Sequence, residues 1–148
     1  MEPYHSKLGN LRRVGWAALI AATACGNESA TAPPPSLPPQ AYVMSYDEFV
    51  AAVAPVLSKH GCDNASCHGG SSTLAFRLSP RDHKDPAFDF HQACRQVDAS
   101  NPAESPLVMK PLAEECGGDT HAGGSYFYSF DDPDYVAILT WIENGEYR

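Results

Sequence analysis

The pattern of apolar and polar positions predicts a helix that begins near residue 45. Ser45 and Glu48 have the S-x-x-E spacing of a capping box. Pro55 is expected to kink the helix or to restart it, because proline has no N–H to donate within a helix. Gly61 is expected to end the helix, which places Cys62 just beyond its last turn. Apolar residues recur on one face of this helix, at Phe49, Val53, Val56 and Leu57.

A second helix is predicted at the end of the chain, within "DDPDYVAILTWIENGEYR". Asp132 has the position of an N-cap and Pro133 that of the first helical residue. Asn144 and Gly145 then indicate where the helix ends. Its apolar stripe consists of Tyr135, Ile138, Leu139 and Ile142.

The region between these helices, residues 69–130, shows little periodicity and contains most of the glycines. Its stretch "TLAFRLS" is interpreted as a short strand, or as a segment that packs Leu74, Phe76 and Leu78 on an apolar surface. "SPLVMKPLAEEC" is interpreted as a short helix interrupted by Pro111. A loop-rich middle of about 60 residues is unusual in a compact domain unless a cofactor organises it.

The first 24 residues predict an export signal. A cationic segment with Lys7, Arg12 and Arg13 precedes an apolar run of about eleven residues, which is too short to cross a bilayer and typical of a signal peptide. "ATAC" resembles a bacterial lipoprotein cleavage box, which makes Cys25 the predicted lipidation site. The alternative is ordinary signal cleavage near Ala24, with Cys25 left as a free thiol.

Residues 25–41 contain five prolines and predict an extended tether after the lipidated cysteine. The folded domain is then expected at residues 42–148. Together these features predict an exported protein, in the periplasm or at the cell surface. Its predicted contact with a bacterial membrane is through the lipid anchor only.

The charge of the chain restricts its partners. It carries 10 Lys and Arg against 18 Asp and Glu. The predicted signal peptide accounts for three basic residues and one acidic residue, so the mature chain has 7 against 17 and a formal net charge of −10. Such an acidic chain argues against nucleic acid as a partner and favours a partner protein with a basic docking face.

The clearest candidate site is "CDNASCHGG", residues 62–70. A covalent haem site is normally written C-x-x-C-H. The two thiols add to the porphyrin vinyl groups, and the imidazole that follows binds the iron. Cys67 and His68 have this adjacency, but four residues rather than two separate Cys62 from Cys67. The four residues are small and turn-tolerant, so an outward bulge would accommodate them.

Two other interpretations use the same cysteines. An exported protein could join Cys62 to Cys67 in a disulfide and leave His68 as a surface residue. A zinc site would combine both cysteines with two histidines, although the sequence has no closely spaced H-x3–5-H pair beside them. The disulfide interpretation leads to a different function, that of a haem-free, disulfide-stapled extracellular binding module.

Longer stretches of the chain resemble a known family. "FVAAVAPVLSKHGCDNASCHGG" resembles the N-terminal part of bacterial c-type cytochrome domains. "SNPAESPLVMKPL", "HAGG" and "DPDYVAILTWIENG" are similar, in this order, to the remainder of one subgroup, which occurs in secreted and lipid-anchored proteins of environmental bacteria. The resemblance covers about residues 45–145, which is nearly the whole predicted domain.

The resemblance implies a small all-α, cytochrome c-like fold, in which the N- and C-terminal helices pack around a haem site with a loop-rich middle. It implies one covalent haem c, attached through Cys62 and Cys67, with His68 as the proximal ligand of the iron. A protein of this kind is an electron carrier rather than an enzyme, and its partner is a redox protein. Trp141 is expected in the core or near the porphyrin edge.

Two residues are candidates for the distal ligand. In small cytochromes c this ligand usually lies on a loop shortly before the last helix. His121 precedes Asp132 by 11 residues, whereas Met109 precedes it by 23. The glycines after His121 would also let the backbone approach a porphyrin closely. His121 is therefore the predicted distal ligand, with Met109 as the alternative and a vacant distal position as the third option.

The remaining cysteines, Cys94 and Cys116, lie 22 residues apart and are predicted to form a disulfide. The alternative is two buried thiols. His60 is interpreted as a cap of the first helix, where a cation favours the helix dipole, and not as a ligand. Three basic residues are interpreted as surface charges or as partners of haem propionates: Arg77, Arg95 and Lys110.

Overall fold

The structure, a computed structural model, describes residues 40–70 and 74–148. They belong to one compact unit, Pro38–Arg148. The predicted signal peptide, the lipidation site Cys25 and all but the last two residues of the predicted tether lie outside the described residues. Within the described part of the chain, the helices are too short or too polar to cross a membrane.

The described residues form a helix-rich fold with one small sheet. In chain order the elements are β1 (Tyr42–Val43), α1 (Tyr46–Glu48), a π-helical segment (Phe49–Val53), α2 (Ala54–Lys59), α3 (Pro86–Cys94), a 3-10 turn (Pro102–Glu104), α4 (Pro106–Met109), a second 3-10 turn (Glu114–Cys116), α5 (Pro133–Glu143) and β2 (Glu146–Tyr147). The predicted helical character is confirmed, and the structure adds a small sheet in which β1 and β2 pair antiparallel with Tyr42 opposite Tyr147.

The first predicted helix is confirmed, in three consecutive pieces. The Glu48 N–H donates to Ser45 Oγ at 3.2 Å, as the capping box requires. The turn before Pro55 is widened to a π-helix, and the Ala54 N–H donates to the carbonyl of Phe49, five residues back. The α-helix then restarts with Pro55 in its first turn. This restart follows from the missing N–H of proline, which cannot continue the normal hydrogen-bond ladder.

Gly61 ends this helix as predicted. Its φ of +69° lies in the left-handed region. The Cys62 N–H donates to Leu57 O at 2.9 Å and the Gly61 N–H to Ser58 O at 3.1 Å. This pair of hydrogen bonds is a Schellman motif. The backbone of Cys62 is therefore fixed to the last turn of α2.

The last predicted helix, α5, is also confirmed. Asp132 Oδ1 accepts hydrogen bonds from the N–H groups of Asp134 and Tyr135, and Pro133 is the first helical residue. The buried residues of α5 are Tyr135, Ile138, Trp141 and Ile142. The predicted stripe is thus correct except that Leu139 is only half-buried and Trp141 takes the central position.

Contacts of α5 with the first helix join the two ends of the domain. The Trp141 ring centre lies 5.5 Å from that of Phe49, and its Nε1–H donates to Ser45 O at 2.8 Å. At the other end of α5, Asp134 Oδ2 lies 2.7 Å from Lys59 Nζ and 2.6 Å from His60 Nε2. The hydrogen bond from Lys59, followed by that from His60, lowers the pKa of Asp134 although partial burial acts in the opposite direction. His60 thus connects α2 with α5.

The middle of the chain contains a helix, α3, that the sequence analysis does not predict. Asp85 Oδ1 accepts a hydrogen bond from the Phe88 N–H at 3.0 Å, and Pro86 is the first helical residue. Phe90 on α3 packs against Phe49 at 5.6 Å. In the preceding "TLAFRLS" stretch, the described residues form no strand beyond an isolated parallel bridge between Gly69 and Leu78. The packing interpretation holds in part, because Leu78 is fully buried and Phe76 is half-buried, whereas Leu74 is 53% exposed.

Candidate functional site

One cavity brings together the residues that the sequence analysis selects. Cys62, Cys67, His68 and His121 all line a cavity of about 500 Å³. This volume is within the range of about 300–1,000 Å³ found for cofactor and small-molecule sites. Most of the lining surface is apolar, and it is contributed by Leu57, Leu74, Phe76, Pro106, Leu107, Pro111 and Tyr126, among others.

Hydrogen bonds within the loop fix the two cysteines and the histidine. The His68 N–H donates to Cys62 O at 2.9 Å, and the Cys67 N–H donates to Asn64 O at 2.9 Å. The four residues between the cysteines do not all bulge outward as predicted. Asn64, Ala65 and Ser66 are exposed, but Asp63 is buried and its side chain is fully shielded from solvent. The reason is that Asp63 has hydrogen-bonding and ionic partners that turn its side chain inward.

Asp63 is held by three side chains. Ser58 Oγ donates to its Oδ2 at 2.7 Å, Arg81 Nε donates to its Oδ1 at 3.3 Å, and Lys84 Nζ lies 3.5 Å from Oδ2. Burial alone would raise the pKa of this carboxyl group. The hydrogen bond from Ser58 and the charges of Lys84 and Arg81 outweigh burial and lower the pKa. Asp63 is therefore a carboxylate at neutral pH.

The cysteines of the motif are free thiols in the structure. Burial, together with the nearby charge of Asp63, raises the pKa of Cys62 to about 11. The Cys62 thiol is therefore protonated at neutral pH. Cys67 Sγ lies 3.8 Å from Ser66 Oγ. The Cys62–Cys67 disulfide of the alternative interpretation is not formed here.

The two histidines of the cavity have the same hydrogen-bond arrangement. His68 Nδ1 lies 3.0 Å from Phe76 O, and His121 Nδ1 lies 2.9 Å from Gly124 O. A backbone carbonyl can only accept a hydrogen bond, so Nδ1 is the protonated nitrogen of each ring. In the neutral imidazoles, both Nε2 atoms therefore carry a lone pair that can bind a metal. The two ring planes are nearly parallel, at 9°, and the ring centres are 6.0 Å apart.

Backbone and side-chain contacts hold the loop that carries His121. The Gly124 N–H donates back to His121 O at 2.9 Å, and Tyr126 Oη–H donates to Gly123 O at 3.1 Å. A Cβ on Gly123 would lie only 3.0 Å from His121 Cε1, so a glycine gives the imidazole its space. Burial, followed by the nearby Cys62, raises the pKa of Tyr126. The sequence analysis missed Tyr126, because one aromatic residue in a glycine-rich loop has no distinguishing pattern.

Met109, the alternative ligand, has a different environment. It is half-buried against the hydrophobic core at the end of α4, and it is not one of the described residues that line the cavity. Its carbonyl accepts a hydrogen bond from the Asp119 N–H at 3.0 Å. Of the three candidate propionate partners, Lys110 lines the cavity and pairs with Asp119 at 3.3 Å. The two arginines, Arg77 and Arg95, are exposed and do not line it.

The predicted disulfide between Cys94 and Cys116 is not formed in the structure, where both are free thiols. Cys94 ends α3 and packs against the core, and burial raises its pKa. Cys116 lies in the second 3-10 turn, and its thiol donates to Tyr128 O at 3.1 Å. The Cys94 thiol thus packs against the core, whereas the Cys116 thiol is hydrogen-bonded to a backbone carbonyl.

The two glycines after His68 allow a steric prediction. Gly69→Ala is expected to lower the free energy of unfolding by more than about 3 kcal/mol, because the new Cβ would overlap the backbone carbonyl of Asp63. Gly70→Ala is the matched control. Its φ of +70° costs about 1–2 kcal/mol for an alanine, but its Cβ would meet no described atom within 4 Å. Urea unfolding measures both, and equal losses would contradict the steric explanation.

No protein-family model, no curated protein and no solved structure matches this chain. The resemblance to c-type cytochromes therefore stays a prediction that rests on the quoted motifs.

Proposed function

We propose that this chain is a haem-binding electron-transfer protein, a monohaem c-type cytochrome. Cys62 and Cys67 would attach the haem, and His68 and His121 would bind its iron. One observation carries the proposal. Two nearly parallel imidazoles, each with Nδ1 bonded to a backbone carbonyl, line the same apolar cavity as the two thiols.

The two imidazoles are close enough to serve one group. Their ring centres are 6.0 Å apart and their planes are nearly parallel, at 9°. This proximity, within one cavity, is the geometric basis for pairing His68 with His121.

The set of donors supports a porphyrin more than a bare ion. Among residues 40–70 and 74–148, no group of three or more His, Cys, Asp and Glu side chains could hold a metal ion. A structural zinc site needs four protein ligands and is therefore not favoured. Two axial imidazoles suffice, by contrast, when a macrocycle provides the other four donors.

The residues of the site have separable roles in this proposal. Phe76 O and Gly124 O orient the two imidazoles and keep the lone pairs on Nε2. The apolar lining would favour the binding of an apolar ring. A haem held there would supply a one-electron redox centre. With His68 and His121 both bound to the iron, no position would remain for a substrate, which favours electron transfer over catalysis.

The cytochrome c-like arrangement belongs to the same proposal. It is supported by the packing of α5 on the first helix and by the loops that bring His68 and His121 to one cavity. Export, the lipid anchor at Cys25 and a redox partner with a basic docking face are also proposed. They rest on the N-terminal sequence and on the net charge of the chain.

The visible spectrum of the full chain, purified from the exported fraction of a host that matures c-type cytochromes, tests the proposal. A Soret band that stays with the protein through acid–acetone extraction is the expected result. A colourless protein without free thiols would contradict it and would support the haem-free, disulfide-stapled binding module. A band that acid–acetone removes would contradict covalent attachment.

A further inference from the structure

An ionic cluster with two buried carboxylates and a partly exposed lysine lies beside the Cys–His loop. The carboxylate of Asp63 is fully shielded from solvent, and the side chain of Asp89 on α3 is only 3% exposed. Lys84 Nζ lies between them, 2.7 Å from Asp89 Oδ2 and 3.5 Å from Asp63 Oδ2. We refer to these three residues as the Asp63–Lys84–Asp89 cluster. None of its members lines the cavity that contains the two histidines, as far as the described residues define it.

One end of the cluster is connected to His68 through residues 76–79. Asp89 Oδ1 accepts from the Ser79 N–H at 2.6 Å, and Asp89 Oδ2 accepts from Ser79 Oγ at 2.8 Å. The neighbouring Leu78 N–H donates to His68 O at 2.7 Å. In the same segment, Phe76 O accepts the hydrogen bond from His68 Nδ1. Asp89 therefore anchors the segment that orients the imidazole.

The other end of the cluster is connected to His68 through the loop itself. Asp63 directly follows Cys62, whose carbonyl accepts from the His68 N–H at 2.9 Å. Ser58 Oγ and Arg81 Nε both donate to the Asp63 carboxylate. Arg81 also donates to Ser58 O. The cluster thus holds two parts of the chain in a fixed relative position. One is the loop that contains His68, and the other is the segment whose Phe76 O accepts the Nδ1–H of His68.

Stability alone does not explain why such a cluster is present. The two carboxylates are desolvated although Lys84 stays 32% exposed, and this desolvation offsets much of their attraction to the lysine. Apolar residues of similar volume often stabilise a protein as well or better. Ionic and hydrogen-bonded partners do, however, specify one geometry. This property is useful where a single hydrogen bond decides which imidazole nitrogen carries the proton.

We propose that the Asp63–Lys84–Asp89 cluster positions His68, by holding residues 76–79 where Phe76 O accepts the Nδ1–H and Nε2 keeps its lone pair. These are positioning residues, because they act on the imidazole through the backbone. The purpose of this arrangement, a ligand ready to bind iron, rests on the proposed function. The arrangement itself is a property of the chain without haem.

The test uses the full chain prepared without haem and the 15N NMR spectrum of its histidine rings, with the His68 signals assigned from a His68→Gln variant. The wild-type protein is expected to show the Nδ1–H tautomer of neutral His68. In Asp89→Ala the Nδ1–H fraction is expected to fall by about twofold or more, because Ser79 loses its anchor. Asp89→Asn keeps an oxygen that can accept from the Ser79 N–H but loses the ion pair with Lys84, so its Nδ1–H fraction is expected to lie between those of the wild type and of Asp89→Ala.

Asp82→Ala removes an exposed acid that lies three residues after the 76–79 segment, and it is expected to leave the His68 tautomer unchanged. A folded Asp89→Ala protein with the wild-type tautomer would overturn the proposal, even with a lower melting temperature, since the cluster would then be structural only. If Asp89→Ala does not fold, Ser79→Ala, which removes only the hydroxyl, must shift the tautomer in the same direction. A colourless exported protein would overturn the proposed function without changing these expectations.

Discussion

Replacing both Cys62 and Cys67 with serine is expected to abolish covalent haem in the exported protein. Both sulfurs line the cavity beside His68, and a serine hydroxyl does not form the thioether bond. Each single replacement is expected to leave one attachment point and a weaker, shifted spectrum. Haem staining of a denaturing gel, together with the pyridine haemochrome spectrum, measures the loss.

The matched control for this experiment is Cys116→Ser. Cys116 lies outside the cavity, and its thiol donates to Tyr128 O, a hydrogen bond that a serine hydroxyl can also make. This variant is expected to keep its full haem content. Haem that stays attached to the double variant through denaturation would contradict the assignment of both attachment points. An equal loss in Cys116→Ser would show that cysteine replacement disturbs the fold rather than the attachment.

The two terminal helices of the domain could be predicted because their ends are encoded locally. The capping box of Ser45, the left-handed Gly61 and the pair Asp132 and Pro133 each act within a few residues. The same local chemistry marks α3, where Asp85 and Pro86 repeat the Asp-Pro start of α5. Charged neighbours hide the apolar face of α3, so periodicity alone did not indicate it.

The sheet and the Asp63–Lys84–Asp89 cluster could not be predicted, because they depend on contacts between distant residues. β1 and β2 have two residues each, too few for an alternating pattern. Asp63 looks like a turn residue in the sequence, and its burial depends on Lys84, 21 residues away. A buried carboxylate has no local sequence pattern, since its cost is offset by partners that only the fold brings near.

The residues of the candidate site that lie close together in the chain could be predicted, because their spacing is local. Cys62, Cys67 and His68 stand close together in the chain, so their spacing is visible in the sequence. His121 is remote from them, and its selection rested on its distance from the last helix and on the glycines that follow it. The structure adds what the sequence does not contain, namely the parallel arrangement of the two imidazoles and the carbonyl partner of each ring.

Replacing His121 is expected to change the visible spectrum of the haem, whereas replacing Met109 is not. His121→Ala is expected to convert a six-coordinate, low-spin haem spectrum into a five-coordinate, high-spin one, because it removes the second imidazole from the cavity. Met109→Leu is the matched control. It preserves an apolar side chain of similar volume at the edge of the core, and it is expected to leave the spectrum unchanged.

The reduction potential provides a second measurement on the same site. His121→Met is expected to raise the potential, since a thioether ligand favours ferrous iron more than an imidazole does, within the range of about 0.8 V that axial ligands cover. A spectrum that changes in Met109→Leu but not in His121→Ala would make Met109 the distal ligand, although it lies outside the cavity lining. If neither variant changes the spectrum, the distal position is vacant, and the preference for electron transfer over chemistry at the iron loses its basis.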